Sequence, residues 1–233
     1  MSLLVPPRRP AREHLDDPDL APDEMRRSLE DLRLVNRRWG ASRALERHIV
    51  ERARALGRNR VSILDVGAGS GEAASRLRGA LGRAGLSADV LALDIQWRHL
   101  AVGRLMGASG GPPAVTADAF RMPFRDGAFD FSVSTLFFHH FSPAENRRLL
   151  AELGRVARHG FAMLDLRRHR VPELFVALAG RAIFRARISV EDGVASVRQA
   201  YTPSEALAVA RAVDPRSTAR RVFPFRILVA GGP

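Results

Sequence analysis

The sequence predicts an α/β fold, a mostly parallel sheet with helices on both faces. Three observations carry this. Short apolar runs alternate with stretches of helical periodicity from about residue 60 onward. Gly, Asp and Pro punctuate the ends of those runs. A glycine-rich loop joins the first run to the helix after it, as in strand–loop–helix units whose strands lie parallel.

The elements follow in order. Residues 1–21, rich in Pro, Arg and Asp, read as an extended arm. Met25, Leu29, Leu32 and Val35 recur at spacings of three and four, which predicts a helix from Pro22. A second helix runs from Ala41 to Leu56, with Leu45, Ile49 and Leu56 on one side. Residues 1–57 are thus an arm and helical cap, and 58–233 the main domain. Strands are expected at Val61–Val66, Ala88–Leu93, Ala114–Thr116, Phe129–Thr135 and Phe161–Leu166, with helices at 71–83, 96–105 and 143–157. Gly107–Pro113 reads as a loop. Ser142-Pro143-Ala144-Glu145 and Thr202-Pro203-Ser204-Glu205 are capping boxes with proline at the first helical position, so each opens a helix. Arg221–Phe223 and Arg226–Val229 close the chain as strands.

Composition narrows the chemistry. The chain has 233 residues and no cysteine, which removes disulfides, thiolate metal sites and cysteine nucleophiles. No apolar run reaches the roughly 18 residues of a membrane span. Met1–Pro10 has no apolar core of a signal peptide, so a cytoplasmic location is expected. The net charge is +12, and all 37 basic residues are arginine. Such a surplus raises nucleic acid or an acidic surface as a partner.

The strongest local signal is Asp65-Val66-Gly67-Ala68-Gly69-Ser70-Gly71. Gly67 and Gly69 allow a sharp turn and close approach of a ligand to the backbone. The helix N-terminus that follows faces the ligand with free N–H groups. The spacing is G-x-G-x-G, with Glu72 where a dinucleotide loop has its third glycine. Asp65, two residues before the first glycine, suits a cationic ligand better than a pyrophosphate. Asp94 ends the second strand, where an acid accepts hydrogen bonds from ribose hydroxyls. Asp118-Ala119 follows the third strand, placed for an exocyclic adenine amine.

These residues together resemble class I S-adenosylmethionine-dependent methyltransferases. Asp65–Gly71 is similar to the family's first motif, Asp94 to its ribose-binding acid, and Asp118-Ala119 to its adenine contact. Met122–Asp130 resembles the segment leading into strand four. The match spans roughly 61–166. It implies a Rossmann-like seven-stranded sheet whose last strand is antiparallel, and S-adenosyl-L-methionine as cofactor with S-adenosyl-L-homocysteine as product. It implies cofactor contacts at Asp65, Gly67, Ala68, Gly69, Gly71, Asp94, Ile95, Asp118, Ala119 and Thr135. Asn36, Asp165–Arg170, Ser196–Gln199 and Tyr201-Thr202 resemble bacterial methyltransferases of secondary metabolism, some of them in polyketide or phenolic-lipid pathways. That resemblance names no substrate; the reading favoured beside it is methylation of a small hydrophobic acceptor at oxygen, a phenolic or polyketide-type hydroxyl.

Methyl transfer to a hydroxyl needs alignment, exclusion of water and, for a phenol or alcohol, a base. His139 and His140, just after strand four, are the candidates, with packing histidines the alternative. Asp165 and Arg167 either orient the acceptor or form a structural ion pair. Asn36 and Trp39 of the first helix close the other side of the pocket, Trp39 alternatively as a packing residue. No metal is expected, because no carboxylate cluster stands near the end of strand four and neighbouring histidines rarely ligate one ion. The stretch 171–188, within a lid-like insertion at about 167–202, is apolar first and arginine-rich after. It reads as a lid over a greasy acceptor, a membrane-surface helix, or an ordinary packed helix.

Two rival functions stand beside this one. A nucleic-acid methyltransferase accords with the charge, but Ser134-Thr135-Leu136-Phe137 stands where the Asn/Asp-Pro-Pro-aromatic motif holds a flipped base. The other is a cofactor-binding partner protein without turnover. The charge itself is uneven: 151–233 holds 14 arginines against 7 acids. Arg167, Arg168, Arg170, Arg181, Arg185 and Arg187 face Glu173 alone between 167 and 187. That places the charge at the rim of an acceptor pocket rather than on a nucleic-acid face, where it meets an anionic acceptor, an acidic carrier protein or a lipid surface.

Overall fold

The structure, a computed structural model, describes residues 4–39, 42–106 and 111–232; the side chains at 38 and 39 lie outside that description. Trp39 is therefore placed only as the last residue of a helix. Seven strands form one sheet: β1 (Arg60–Val66), β2 (Ser87–Asp94), β3 (Ala114–Thr116), β4 (Phe131–Thr135), β5 (Phe161–Leu166), β6 (Thr218–Val222) and β7 (Arg226–Gly231). Their order is β3-β2-β1-β4-β5-β7-β6, with the first five parallel and β7 antiparallel to both neighbours. The order reverses between β1 and β4, and open parallel sheets bind ligands at the carboxyl ends of strands flanking such a point. Because β7 runs back along β5, its first residue, Arg226, pairs with Leu166 at that same end.

The inner strands β1, β4, β5 and β7 are buried on both faces, which is why they read as nearly continuous apolar runs, whereas the edge strands β3 and β6 are partly exposed. Phe161 and Met163 of β5 pack with α5 (Pro143–Val156) and α8 (Pro203–Arg211), while Ala162 and Leu164 pack with α2 (Arg43–Ala55) and α3 (Glu72–Arg83). Both capping boxes form: Ser142 Oγ accepts from the Glu145 N–H, and Thr202 Oγ1 from the Glu205 N–H.

Two departures from the sequence expectation matter for the site. The stretch 171–188 is not one helix. It breaks into α6 (Arg170–Ile183) and α7 (Ile188–Gln199). The break is stabilised from α1 (Pro22–Trp39), whose Asp31 carboxylate accepts the N–H groups of Arg185 and Ala186 and the Ser189 hydroxyl, at 2.8–3.0 Å. Glu24 accepts the Arg187 N–H at 2.6 Å. These acids satisfy the exposed donors at the start of α7, where the helix dipole favours negative charge.

The arm is also tied down. The Arg170 N–H donates to Leu4 O at 2.9 Å, the Arg9 N–H to Arg198 O at 3.1 Å, and Arg168 Nε to Pro6 O at 2.8 Å. Arg8 donates to Gln199 O, His139 O and Phe141 O at 2.6–2.9 Å, with its guanidinium over the Tyr201 ring. A single 3-10 turn at His14–Asp16 docks on α7 through Asp192, which accepts the His14 and Leu15 N–H groups. No helix among the described residues is long and apolar enough to cross a membrane.

Candidate active site

A cavity of about 1040 Å³ opens at the carboxyl ends of β1, β2, β4 and β5. At one end its wall is the glycine loop. Gly67, Gly69 and Gly71 all have positive φ. At Gly67 the reason is close packing as well as the turn: a Cβ there would lie 2.5 Å from the Phe137 ring. Phe137 is set by Leu136, itself at φ 55, where the chain leaves β4. The Asp94 carboxylate accepts the Gly69 N–H at 2.7 Å and the Gln96 N–H at 2.8 Å. A carboxylate has about four lone-pair sites, so two acceptor sites remain.

Of the ten cofactor residues expected, Gly67, Ala68, Gly69, Asp94, Ile95, Asp118, Ala119 and Thr135 line this cavity; Asp65 and Gly71 do not. Gly71 serves instead as the left-handed residue before α3. Asp65 lies fully buried behind the loop, with neither carboxylate oxygen meeting a hydrogen-bond partner. Burial pushes its pKa up to about 7, and the Asp94 charge adds to the effect. Glu72 lines the cavity too; its Oε2 accepts from Asn36 Nδ2 at 3.2 Å while its Oε1 has no partner. Thr135 Oγ1 is likewise buried without a partner. Buried oxygens without hydrogen-bond donors beside the glycine loop suit a ligand carrying both a cation and hydroxyls.

Past Phe137, the chain forms a 3-10 turn at Phe138–His140. Asn146 Nδ2 donates to Phe138 O and Phe141 O, and the Tyr201 hydroxyl to Phe141 O, so the turn is clamped from α5 and from the start of α8. The two histidines then differ sharply. His139 is buried, with Nδ1 2.7 Å from Asp165 Oδ1 and Nε2 3.2 Å from Glu13 Oε1. An ionised carboxylate only accepts, so both ring nitrogens carry hydrogens and the ring is an imidazolium. Burial opposes that charge, but Asp165 and Glu13 outweigh it and hold the pKa at about 10. Burial raises Glu13, and the His139 hydrogen bond and charge more than reverse it, to about 2. Ser196 Oγ and Gln199 Nε2 also donate to Glu13 Oε1, at 2.6 and 2.7 Å. His139 is thereby a structural cation with no lone pair for a proton. His140 keeps a partly exposed ring on the cavity wall, with Nδ1 3.2 Å from Asp16 Oδ2 and Nε2 4.0 Å from Glu13 Oε2.

Several expectations are corrected here. Carboxylates do stand beyond strand four, but they come from the arm, more than 120 residues away in sequence: ligand atoms of Glu13, His139 and His140 lie within 4.8 Å of one another. The proton on His139 already neutralises that cluster. Asp165 pairs with His139 and not with Arg167, whose guanidinium sits 5.0 Å from the Phe225 ring centroid, outside the cavity lining. Arg168 turns inward and pairs with Glu205 at 2.7 Å. None of the six arginines between 167 and 187 lines the cavity; Arg226 of β7 does. Asn36 lines it as expected. Glu13, Asp16, Asn146 and Arg226 carry no local sequence signal, because each acts on residues far away in the chain.

The far end of the cavity is largely apolar, although Asp31 and Arg33 of α1 and Asp192 and Ser196 of α7 also line the cavity. Leu29, Leu32 and Val35 of α1, Phe175 and Val176 of α6, Val197 of α7, and Phe223 and Phe225 of the β6–β7 turn face it.

Residues 64–164 match the family model described as a methyltransferase domain. No curated protein matches the chain. Among solved structures, the plantazolicin methyltransferase BamL, in complex with a triazolic desmethylPZN analog and SAH, is 14% identical with a TM-score of 0.60, covering 84% of this chain and 76% of its own. A SAM dependent methyltransferase from Aquifex aeolicus is 20% identical with a TM-score of 0.51, covering 73% of this chain and 80% of its own. The complex between the Haloferax volcanii Trm112 methyltransferase activator and a methyltransferase gives 14% identity and a TM-score of 0.56, covering 88% and 92%. At such identities the likeness shows the fold alone. The match falls on β1 to β5, the part of the sheet that carries the glycine loop and Asp94, so residues 64–164 form a methyltransferase domain.

Proposed function

We propose that the protein methylates a hydroxyl on a small hydrophobic acceptor of phenolic or polyketide type, with His140 as the base. The observation that carries this is the single cavity running from the glycine loop, past His140, to an apolar chamber roofed by α1, α6 and α7. The arm and α1 form one side of that roof, and the 167–202 insertion the other.

The residues present suit S-adenosylmethionine. Asp94 keeps two acceptor sites for the ribose hydroxyls, Ile95 and Ala119 flank the adenine, and Asp118 takes its amine. Gly67, Ala68 and Gly69 let the amino-acid end lie against the backbone. Thr135 and Glu72 present oxygens to its ammonium, and Asp65 adds negative charge from behind. When bound, the cofactor supplies an electrophilic sulfonium methyl and leaves as a neutral thioether.

The chain's own work is then alignment, exclusion of water and one proton. His140 Nε2 takes the proton of the acceptor hydroxyl as its oxygen attacks the methyl carbon. Asp16, whose Oδ2 lies 3.2 Å from Nδ1, favours a proton on that nitrogen and so leaves Nε2 to accept one. Glu13 and Asp165 clamp His139, and through it the turn that carries His140. Asn36 fixes Glu72 at the boundary between the cofactor and acceptor ends.

The test is calorimetry with S-adenosylhomocysteine, followed by methyl transfer from labelled S-adenosylmethionine to a panel of phenols. We expect tight product binding and methyl ethers among the phenol products. Absence of binding at high micromolar concentration would refute the reading.

A further inference from the structure

Arg226 is out of keeping with its surroundings. It opens β7 at the carboxyl end of β5, it is only 7% exposed, and it lines the cavity. Among the described residues its guanidinium has no hydrogen-bond or ion-pair partner; only burial and the charge of Asp165 act on it. The carboxylate whose charge acts on it is Asp165, already shared with His139. The walls beside it are Leu166, Val171, Phe223 and Phe225. A charge held largely out of water without a partner is destabilising, and the donors of this one open only onto the cavity. Burial accordingly lowers its pKa to about 10, against the pull of Asp165. Leucine or methionine would fill the same position in a purely apolar chamber at no such penalty.

From this guanidinium facing an apolar chamber, we infer that the acceptor carries an anionic group, a carboxylate or comparable oxyanion, which Arg226 binds in bidentate fashion. The inference deepens the function proposed above and rests on it for the identity of the cavity as an acceptor site. It makes the acceptor an amphiphilic acid: an apolar or aromatic body in the chamber, its acid at Arg226 and its hydroxyl toward His140. Arginine suits this task because its planar fork matches carboxylate geometry and stays charged. The pair would form out of water, where a charge-assisted bond discriminates strongly against an uncharged analogue.

The experiment uses the full chain saturated with S-adenosylhomocysteine, so that cofactor binding is established separately. Phenolic and straight-chain carboxylic acids, among them salicylate and decanoate, are each titrated beside the matching amide. The acids should bind at least about tenfold more tightly than the amides, and Arg226→Met should erase the difference while Arg226→Lys retains part of it. Arg226→Met should also leave the unliganded protein as stable as the parent or more so, since it removes an unpaired buried charge. A structural arginine would give the opposite, a loss of thermal stability. Equal binding of acids and amides by the parent chain, binding of neither, or an acid preference that survives Arg226→Met overturns the inference. The parent-chain comparison decides the matter even if a variant does not fold. Product binding with no acid preference would sink this inference while leaving the methyltransferase reading intact.

Discussion

The two ends of the cavity are assembled differently. At the cofactor end, Gly67 to Thr135 come from consecutive strand–loop–helix units, and each residue sits at the tip of a strand near its partners in sequence. At the acceptor end, Glu13, Asp16, His140, Asp165 and Arg226 come from the arm, a 3-10 turn, β5 and β7, and meet only after the whole chain has folded. The first end is a local device repeated along a sheet. The second depends on long-range closure, above all on a 20-residue arm held by hydrogen bonds to α7 and to the His139–His140 turn. The teaching is that chemistry shared by many acceptors can be encoded locally, whereas the selection of one acceptor is left to distant segments that can change independently.

Perturbing each end separately should break or sharpen that contrast. The largest effect is expected from His140→Ala, which should lower kcat by about 10²–10⁴-fold, as loss of a general base does. Affinity for S-adenosylhomocysteine, measured by calorimetry, should be unchanged. Equal losses in both would mean that the ends are not independent.

His139→Ala leaves Glu13 and Asp165 buried without their shared cation, and breaking a buried pair this way costs about 3–5 kcal/mol. Chemical denaturation should register that loss together with faster proteolysis within residues 4–20. The parent's pH profile should carry the same signature. His139 stands near 10 in the fold against an ordinary 6.5, so its contribution is full below pH 6.5 and drains away as the pH rises through 10. Glu13 stands near 2 against an ordinary 4.5, so its share is full above pH 4.5 and is lost as the pH falls through 2. Melting curves of His139→Asn should lack the decline of the parent between pH 6.5 and 10.

Asp94→Ala should weaken S-adenosylhomocysteine binding by about 100-fold if Asp94 holds the ribose as proposed, since it also frees the Gly69 N–H. Unchanged affinity would remove Asp94 from the ribose site. The smallest effect is expected from Asp16→Asn. Its ring partner survives but the tautomer is less firmly held, so kcat should fall by roughly tenfold, with stability within about 0.5 kcal/mol of the parent because Asp16 is half exposed.

Much of the glycine-loop end of the cavity was legible in the residues themselves. Ile63-Leu64-Asp65-Val66 followed by Gly67 and Gly69 announces a strand, a turn with positive φ and a helix start, all interactions between near neighbours. The same holds for the capping boxes at Ser142 and Thr202, whose two reciprocal bonds span three residues. The histidines show where this stops. Adjacent and chemically identical in sequence, they take opposite roles because Glu13 and Asp165 close on His139 from either side and leave His140 at the cavity. The arginines show it again. The dense cluster at 167–187 turned away from the chamber, and the isolated Arg226 faces it. Trp39 falls outside the described side chains, so its part in closing the pocket is untested.

By itself the sequence determined the alternating strands and helices and the glycine loop between β1 and α3, because backbone geometry and hydrophobic periodicity act over a few residues. Only the tertiary structure decided which histidine is charged, which arginine is buried and what roofs the acceptor chamber. Those are matters of desolvation and of partners brought together across more than a hundred residues, and no local pattern encodes which charges end up sharing a dry site.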